Sequence, residues 1–198
     1  MKKKIMIPLI CVVVIAAAVG GVFYWRENVR LTPVEEWNKA KYSEPSDFTV
    51  TETAEQKIIE NKSAGLTFAI PKDWTATSTE SFFELESPEA KEKSPSFMEN
   101  GCRIIVEIGN IKANIATLEE QLKNSIWAKH VTEQKIEKID GKDAFIFVAK
   151  SENSNFYHSG TVALNNGKIY SLTLDTTLED ANKCSQDFQT VLNSVKIQ

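Results

Sequence analysis

One uncharged run sets the pattern. Ile5 to Trp25, IMIPLICVVVIAAAVGGVFYW, is 21 residues without a charge, preceded by Lys2, Lys3 and Lys4 and followed by Arg26. At about 1.5 Å per residue a helix of that length crosses a hydrocarbon core of roughly 30 Å. Inside lipid a single segment satisfies its own backbone only as a helix. The lysines hold residues 1–4 in the cytoplasm, and Tyr24 and Trp25 suit the far interface. The pattern therefore predicts an N-terminal transmembrane helix over 5–25, with the rest of the chain extracytoplasmic. A basic start, an apolar run and the small residues Ala16 to Gly21 also resemble a cleaved secretory signal, which would leave a secreted form. The continuation through Val22, Phe23, Tyr24 and Trp25 favours the anchor. Cys11 reads as one more apolar residue of the span.

Residues 26–56 turn polar, with Pro33 and Pro45 and the run Tyr42-Ser-Glu-Pro-Ser-Asp, and read as a stalk. One short helix interrupts it. Thr32 caps its start, Pro33 takes the first position, Glu35 completes the capping box, and Glu35 sits four residues before Lys39. Trp37 rides on that helix.

From Lys57 the periods become those of a folded domain, 57–198. Lys57-Ile-Ile-Glu and Leu66-Thr-Phe-Ala-Ile70 alternate as strands around the turn Asn61 to Gly65, Pro71 ends the second, and Phe82 to Glu86 forms another. Ser87 to Gly101, with Pro88 and Pro95, reads as a long solvated loop. Arg103 to Ile108 is a strand, after which Leu118, Leu122 and Ile126 recur at helical spacing behind the box Thr117-Leu-Glu-Glu120, predicting a helix from Thr117 to about Ala128. Val131 to Asp140 alternates again. Asp140-Gly141 is a hairpin turn, and Ala144 to Ala149 is apolar on both faces, as in a covered central strand. Phe156–Leu164 and Lys168–Asp175, joined by Asn165-Asn-Gly167, make a long hairpin with Tyr170, Leu172 and Leu174 on its buried side. Ala181, Cys184, Phe188, Val191, Leu192 and Val195 form the stripe of a last helix capped by Thr177. This order predicts an α+β domain, a curved antiparallel β-sheet with helices packed on its faces.

Composition narrows the partners. From Asn28 onward 26 acidic residues (27 less Glu27) face 19 basic ones (23 less Lys2, Lys3, Lys4 and Arg26), a net charge of −7. Nucleic acid and anionic headgroups would repel such a domain. The lipid bilayer is then a partner only through residues 5–25.

The order of signals resembles the PsbP-like family. The resemblance is carried by Gly65-Leu-Thr-Phe-Ala-Ile-Pro-Lys-Asp-Trp74, by Gly141-Lys-Asp-Ala-Phe145, and by Phe188-Gln-Thr-Val-Leu-Asn-Ser-Val-Lys-Ile197, and it covers about 57–198. It implies an α/β/α sandwich, a fold shared with a yeast Ran-binding protein and bacterial envelope proteins. Members usually work as assembly or stabilising subunits at a membrane surface, the photosynthetic ones supporting the oxygen-evolving complex. No binding motif of the family is matched, so no cofactor or metal residue is carried over.

Candidate chemistry is sparse. His130 and His158 stand apart in sequence, and no spacing of His, Cys and carboxylates suggests zinc. No nucleophile elbow, phosphate loop or paired-histidine motif occurs. Cys102 shares strand parity with Ile104, Val106 and Ile108, and Cys184 lies in the apolar stripe of the last helix, so both face one layer. A disulfide is then allowed outside the cytoplasm; two buried free thiols are the other reading. Phe97 and Met98 either tuck against the domain or form an exposed docking patch. These features point to a noncatalytic, membrane-anchored module that binds an envelope or membrane protein. The rival is a ligand-binding or hydrolytic domain whose site is assembled from scattered residues.

Overall fold

A computed structural model describes residues 43–80, 82–94, 97–110 and 113–198. The 5–25 run with Cys11 and the short helix read at Thr32–Lys39 with Trp37 lie outside them. Among the described residues no helix is long and apolar enough to cross a membrane.

In chain order the strands are β1 (Thr49–Glu52), β2 (Gln56–Asn61), β3 (Leu66–Pro71), β4 (Thr75–Ser78), β5 (Phe83–Glu86), β6 (Lys91–Ser94), β7 (Phe97–Asn100) and β8 (Cys102–Gly109). Helix α1 (Ile115–Lys123) follows, then β9 (Val131–Ile139), β10 (Lys142–Ser151), β11 (Phe156–Asn165), β12 (Lys168–Thr176), helix α2 (Ala181–Ser194) and β13 (Lys196–Ile197). Two-residue turns fix the largest sheet. Asp140 and Gly141 have φ of 48° and 76°, and Asn166 and Gly167 have φ of 51° and 79°, the left-handed geometry that matches strand twist in a tight hairpin. The result is a seven-stranded antiparallel sheet in the order β4-β5-β8-β12-β11-β10-β9, beside a four-stranded sheet β1-β2-β3-β13 and the hairpin β6-β7.

Strand parity sorts the side chains into two layers. Ile104, Val106 and Ile108 of β8 and Tyr170, Leu172 and Leu174 of β12 join Leu66, Phe68 and Ile70 of β3 and Cys184, Phe188, Val191 and Leu192 of α2 in one core. On the opposite face Phe145 of β10 packs with Leu118 and Leu122 of α1, flanked by Phe147, Val162 and Leu164. Among the described residues the sheet thus carries one helix on each face. Tyr170 reaches across the larger core to donate from its hydroxyl to the Ala64 carbonyl at 2.8 Å, which satisfies the one polar atom a buried tyrosine brings.

Several expectations are corrected. The stalk does not run to Gln56, because β1 pairs with β2 from Thr49↔Glu60 to Glu52↔Lys57, Phe48 stacks on Phe83 at 4.3 Å, and Ser43 is buried and accepts from Asn61 Nδ2, so the folded unit has begun by Ser43. The stretch 87–101 is not a plain loop. β6 pairs with β7, held where Met98 is buried and where Asn100 Nδ2 donates to the Glu89 carbonyl at 2.6 Å. Gly101 is obligatory there, since its φ is 76° and a Cβ would lie 2.6 Å from Ala90 Cα. Helix α1 starts and stops earlier than its periodicity suggests. Asn114 caps it by accepting from Thr117 N at 2.9 Å, and Ile126 lies beyond its end, 74% exposed. Thr117 therefore sits in the first turn, where it is a donor to the cap. Asp180 takes the N-cap position of α2, while Thr177 Oγ1 closes the preceding turn by accepting from Asp180 N at 3.2 Å.

Candidate functional site

The parity that points Ile104 and Leu174 into the large core turns Arg103 and Asp175 to the other face. There the pairing register lines up one rung of the sheet: Ala149 opposite His158, His158 opposite Asp175, Asp175 opposite Arg103, and Arg103 opposite Glu86. Three of these side chains form a buried polar chain. His158 Nδ1 lies 2.6 Å from Asp175 Oδ1, and Arg103 donates from a terminal nitrogen to Asp175 Oδ2 at 3.2 Å. The other terminal nitrogen of Arg103 is ion-paired with Glu92, brought over by the β6-β7 hairpin. Arg103 is 1% exposed, and His158 and Asp175 are 7% each. A buried guanidinium of this kind is tolerable only with carboxylates on its donors, which Asp175 and Glu92 supply.

Aromatic rings roof the histidine end. Trp127 stacks on the His158 imidazole with centroids 4.1 Å apart, Phe147 lies 5.5 Å away, and Phe156 meets Trp127, His130 and Phe97 at 5.3, 5.2 and 5.7 Å. Gly160 makes room for this arrangement, since a Cβ there would fall 2.2 Å from the Phe147 ring. The arginine end opens instead. A cleft of about 430 Å³ lies along it, bordered by Glu84, Glu92, Phe82 and Ile105. Burial pushes the Glu84 carboxyl above its ordinary range; Arg103 works against the shift, and Glu86 and Asp175 add to it.

Chemically, Asp175 fixes the orientation of the imidazole through Nδ1 and uses its second oxygen on the guanidinium. An aspartate-oriented histidine is the base half of a hydrolytic triad, but the ring stacked on His158 is Trp127 and the ring tilted against it is Phe147, and neither carries a nucleophile. Among the described residues no group of three or more His, Cys, Asp or Glu is placed to hold a metal ion.

The residues singled out from sequence fall in different places. Cys102 and Cys184 are joined in a disulfide, S–S 2.06 Å and Cα–Cα 5.5 Å, wholly buried in the α2-side core. Phe97 is half-buried with its ring 5.7 Å from Phe156, and Met98, the next residue of β7, is itself buried, so Met98 offers no surface for docking. His130 lies at the rim of that cluster and His158 at its centre. Sequence reasoning missed Arg103, Asp175, Glu92 and Trp127. For Asp175 a signal existed: with Asn166-Gly167 as the turn, residues summing to 333 are cross-strand neighbours, which makes His158 and Asp175 a pair.

Fold and site together define an extended antiparallel sheet with one helix per face and a buried polar chain on its less covered side. The model of the PsbP-like protein family matches residues 8–197, and the chain belongs to that family. Among solved structures it is similar to cyanobacterial PsbP (CyanoP) from Synechocystis sp. PCC 6803, with a TM-score of 0.53 and 16% identity over 75% of this chain and 95% of that one. It is also similar to LpqN of Mycobacterium tuberculosis, a protein involved in cell envelope biogenesis, with a TM-score of 0.50 and 12% identity over 85% of this chain and 98% of that one. At these identities the likeness is one of fold. No curated protein matches the chain.

Proposed function

We propose that this protein is a membrane-tethered, extracytoplasmic PsbP-like module that binds a protein of the same envelope as an assembly or stabilising factor. Residues 5–25 anchor it, 1–4 remain in the cytoplasm, and a tether running to about residue 42 carries the folded domain. The observation that carries the reading is the buried Cys102–Cys184 disulfide. Structural disulfides of this kind persist in oxidising compartments and are rare in the cytosol. The uncharged run with Lys2, Lys3 and Lys4 before it supports the same side of the membrane. The negative charge of the domain disfavours the lipid surface itself and leaves a protein as the partner.

The test is made in intact cells of the source organism. The chain is expected to stay with membranes through a carbonate wash, to be cut by protease added outside the cytoplasmic membrane, and to crosslink to an envelope protein. Release by carbonate, or a mature protein beginning downstream of Gly20, would remove the tether. A second reading has one observation in its favour, the Asp175–His158 pair beside an open cleft. It makes the domain a ligand-binding or hydrolytic one. Binding or turnover of a small molecule that is lost in His158→Gln, with the fold intact, would favour it over the first.

A further inference from the structure

The two edges of the seven-stranded sheet are unlike. β4 ends one side with four residues, and the outer strands of the four-stranded sheet, β1 and β13, have four and two. Short edges leave little template for another chain. β9 ends the other side with nine residues, exposed from Thr132 to Lys138, and no described strand lies beyond it.

The register of β9 marks out its usable part. Glu133 faces Val148 and Val131 faces Ala149, so Thr132 is an extra residue at a bulge. From Glu133 to Ile139 the strand is regular, and at Asp140 the turn begins. The middle of that seven-residue segment is Ile136, one of the exposed large hydrophobic side chains, at 56%. On the face shared with α2 the charges alternate as Glu133, Lys135, Glu137, with Lys135 2.8 Å from Glu137 within the chain.

We infer that β9 pairs antiparallel with β9 of a second copy of this chain, with Ile136 on the two-fold axis, so that two sheets join edge to edge. A two-fold interface must be complementary to itself, and this segment is. With Ile136 opposite Ile136, Lys135 of each copy faces Glu137 of the other, and Gln134 faces Lys138. The apolar pair sits on the α1 side and the two ion pairs on the α2 side. Moving the axis by one residue to Lys135 would set lysine against lysine and Glu133 against Glu137. Charges along an edge ordinarily keep other strands away; here their order admits one register and penalises its neighbour. The inference concerns a surface distant from the Arg103 chain and stands whether or not a different envelope protein is also bound.

The test uses the full chain in its own membranes, with Cys11→Ser to remove the thiol of the N-terminal run. Ile136→Cys is expected to give a disulfide-linked dimer on mild oxidation. Val50→Cys, on the exposed edge strand β1, is the control for chance collision. Adding Lys135→Glu or Glu137→Lys to Ile136→Cys should abolish the dimer band, and the double exchange Lys135→Glu with Glu137→Lys should restore it. Equal crosslinking at residue 50, an adduct with a chain of another mass, or no recovery in the double exchange would each overturn the pairing. Light scattering of the otherwise unaltered chain in mild detergent gives a second reading: a monomer at all concentrations would count against it.

Discussion

The two faces of the seven-stranded sheet divide stability from polarity. Under α2 the face is the more closed and mainly apolar: the helix lays Cys184, Phe188, Val191 and Leu192 against the sheet, where Ser159 and Thr161 of β11 are the buried polar exceptions beside it, and the disulfide pins helix to sheet. Under α1 the cover is partial. That helix contributes two buried leucines over β10 and β11, and the rest of the face holds Arg103, Asp175 and His158. Neighbouring residues on one strand, Cys102 and Arg103, belong to these different regimes because strand side chains alternate. The lesson is that a long terminal helix frees the opposite face from carrying the core. Charge can then be held there at a fixed geometry, as in a site.

The contrast can be broken most strongly from the closed side. Replacing both Cys102 and Cys184 by Ala removes a crosslink across 82 residues and is expected to lower stability by about 4 kcal/mol in the chain-entropy account. Urea unfolding should show the same midpoint for this variant as for the native chain under reductant. On the polar side, Arg103→Met leaves Asp175 buried without its cation and is expected to lower stability by about 3 kcal/mol. Adding Asp175→Leu should return part of that loss, and a double-mutant cycle in urea measures how much. An additive result would mean the two charges do not support each other.

Matched leucines sharpen the comparison. Leu172→Ala should lower stability by about 3 kcal/mol and Leu122→Ala by about 2, because Leu172 lies deep in the large core while Leu122 borders an open cleft of about 370 Å³ where water and neighbours fill the vacated space more readily. Equal losses in thermal unfolding would say that the small cluster is as tightly sealed as the large core.

The smallest effects are in pH dependence, and their signs oppose. Asp140 accepts from Ile197 N at 2.8 Å and from Lys196 at 3.2 Å, and these bonds hold its carboxyl below its ordinary pKa of 3.8. Its stabilisation is therefore complete above that value and lost as pH falls through the lowered one. Asp140→Asn should be less stable than the native chain at pH 6, with the gap closing in acid. Glu84 runs the other way. Burial raises its pKa, so ionising it works against folding, and Glu84→Gln should be the more stable chain at pH 7 and lose that advantage as pH falls to the ordinary range of carboxylates. Parallel pH titrations of unfolding midpoints separate the two; a shared sign would overturn the assignment of Glu84 to a desolvated wall.

Much of the strand order in sequence was readable, and the misses have physical causes. The hairpin β11-β12 follows from Asn166-Gly167, and with it the meeting of His158 and Asp175. Arg103 could not be joined to them, because β8 and β12 are separated by α1 and three strands, and nothing local says which strands become neighbours. The β6-β7 hairpin was hidden by its composition. Lys91 to Ser94 is wholly exposed and looks like solvated chain; its order comes from pairing with β7, where Met98 is buried and Phe97 meets Phe156, and from the ion pair of Glu92 with Arg103. The start of the domain was misplaced for a similar reason, since Thr49 to Glu52 is exposed throughout and is a strand only because β2 accepts it as a partner.

What the sequence by itself determined is whatever acts within a few residues: alternation along strands, helical stripes, left-handed turns at Asn-Gly and Asp-Gly, and the chargeless stretch near the start. These depend on backbone sterics and side-chain polarity, which each segment carries with it. Tertiary structure alone decided which rungs align, so that a histidine, an aspartate and an arginine became one buried chain, and which edge stayed open. Those outcomes turn on pairings between distant segments, and such pairings are chosen by the packing of the whole core.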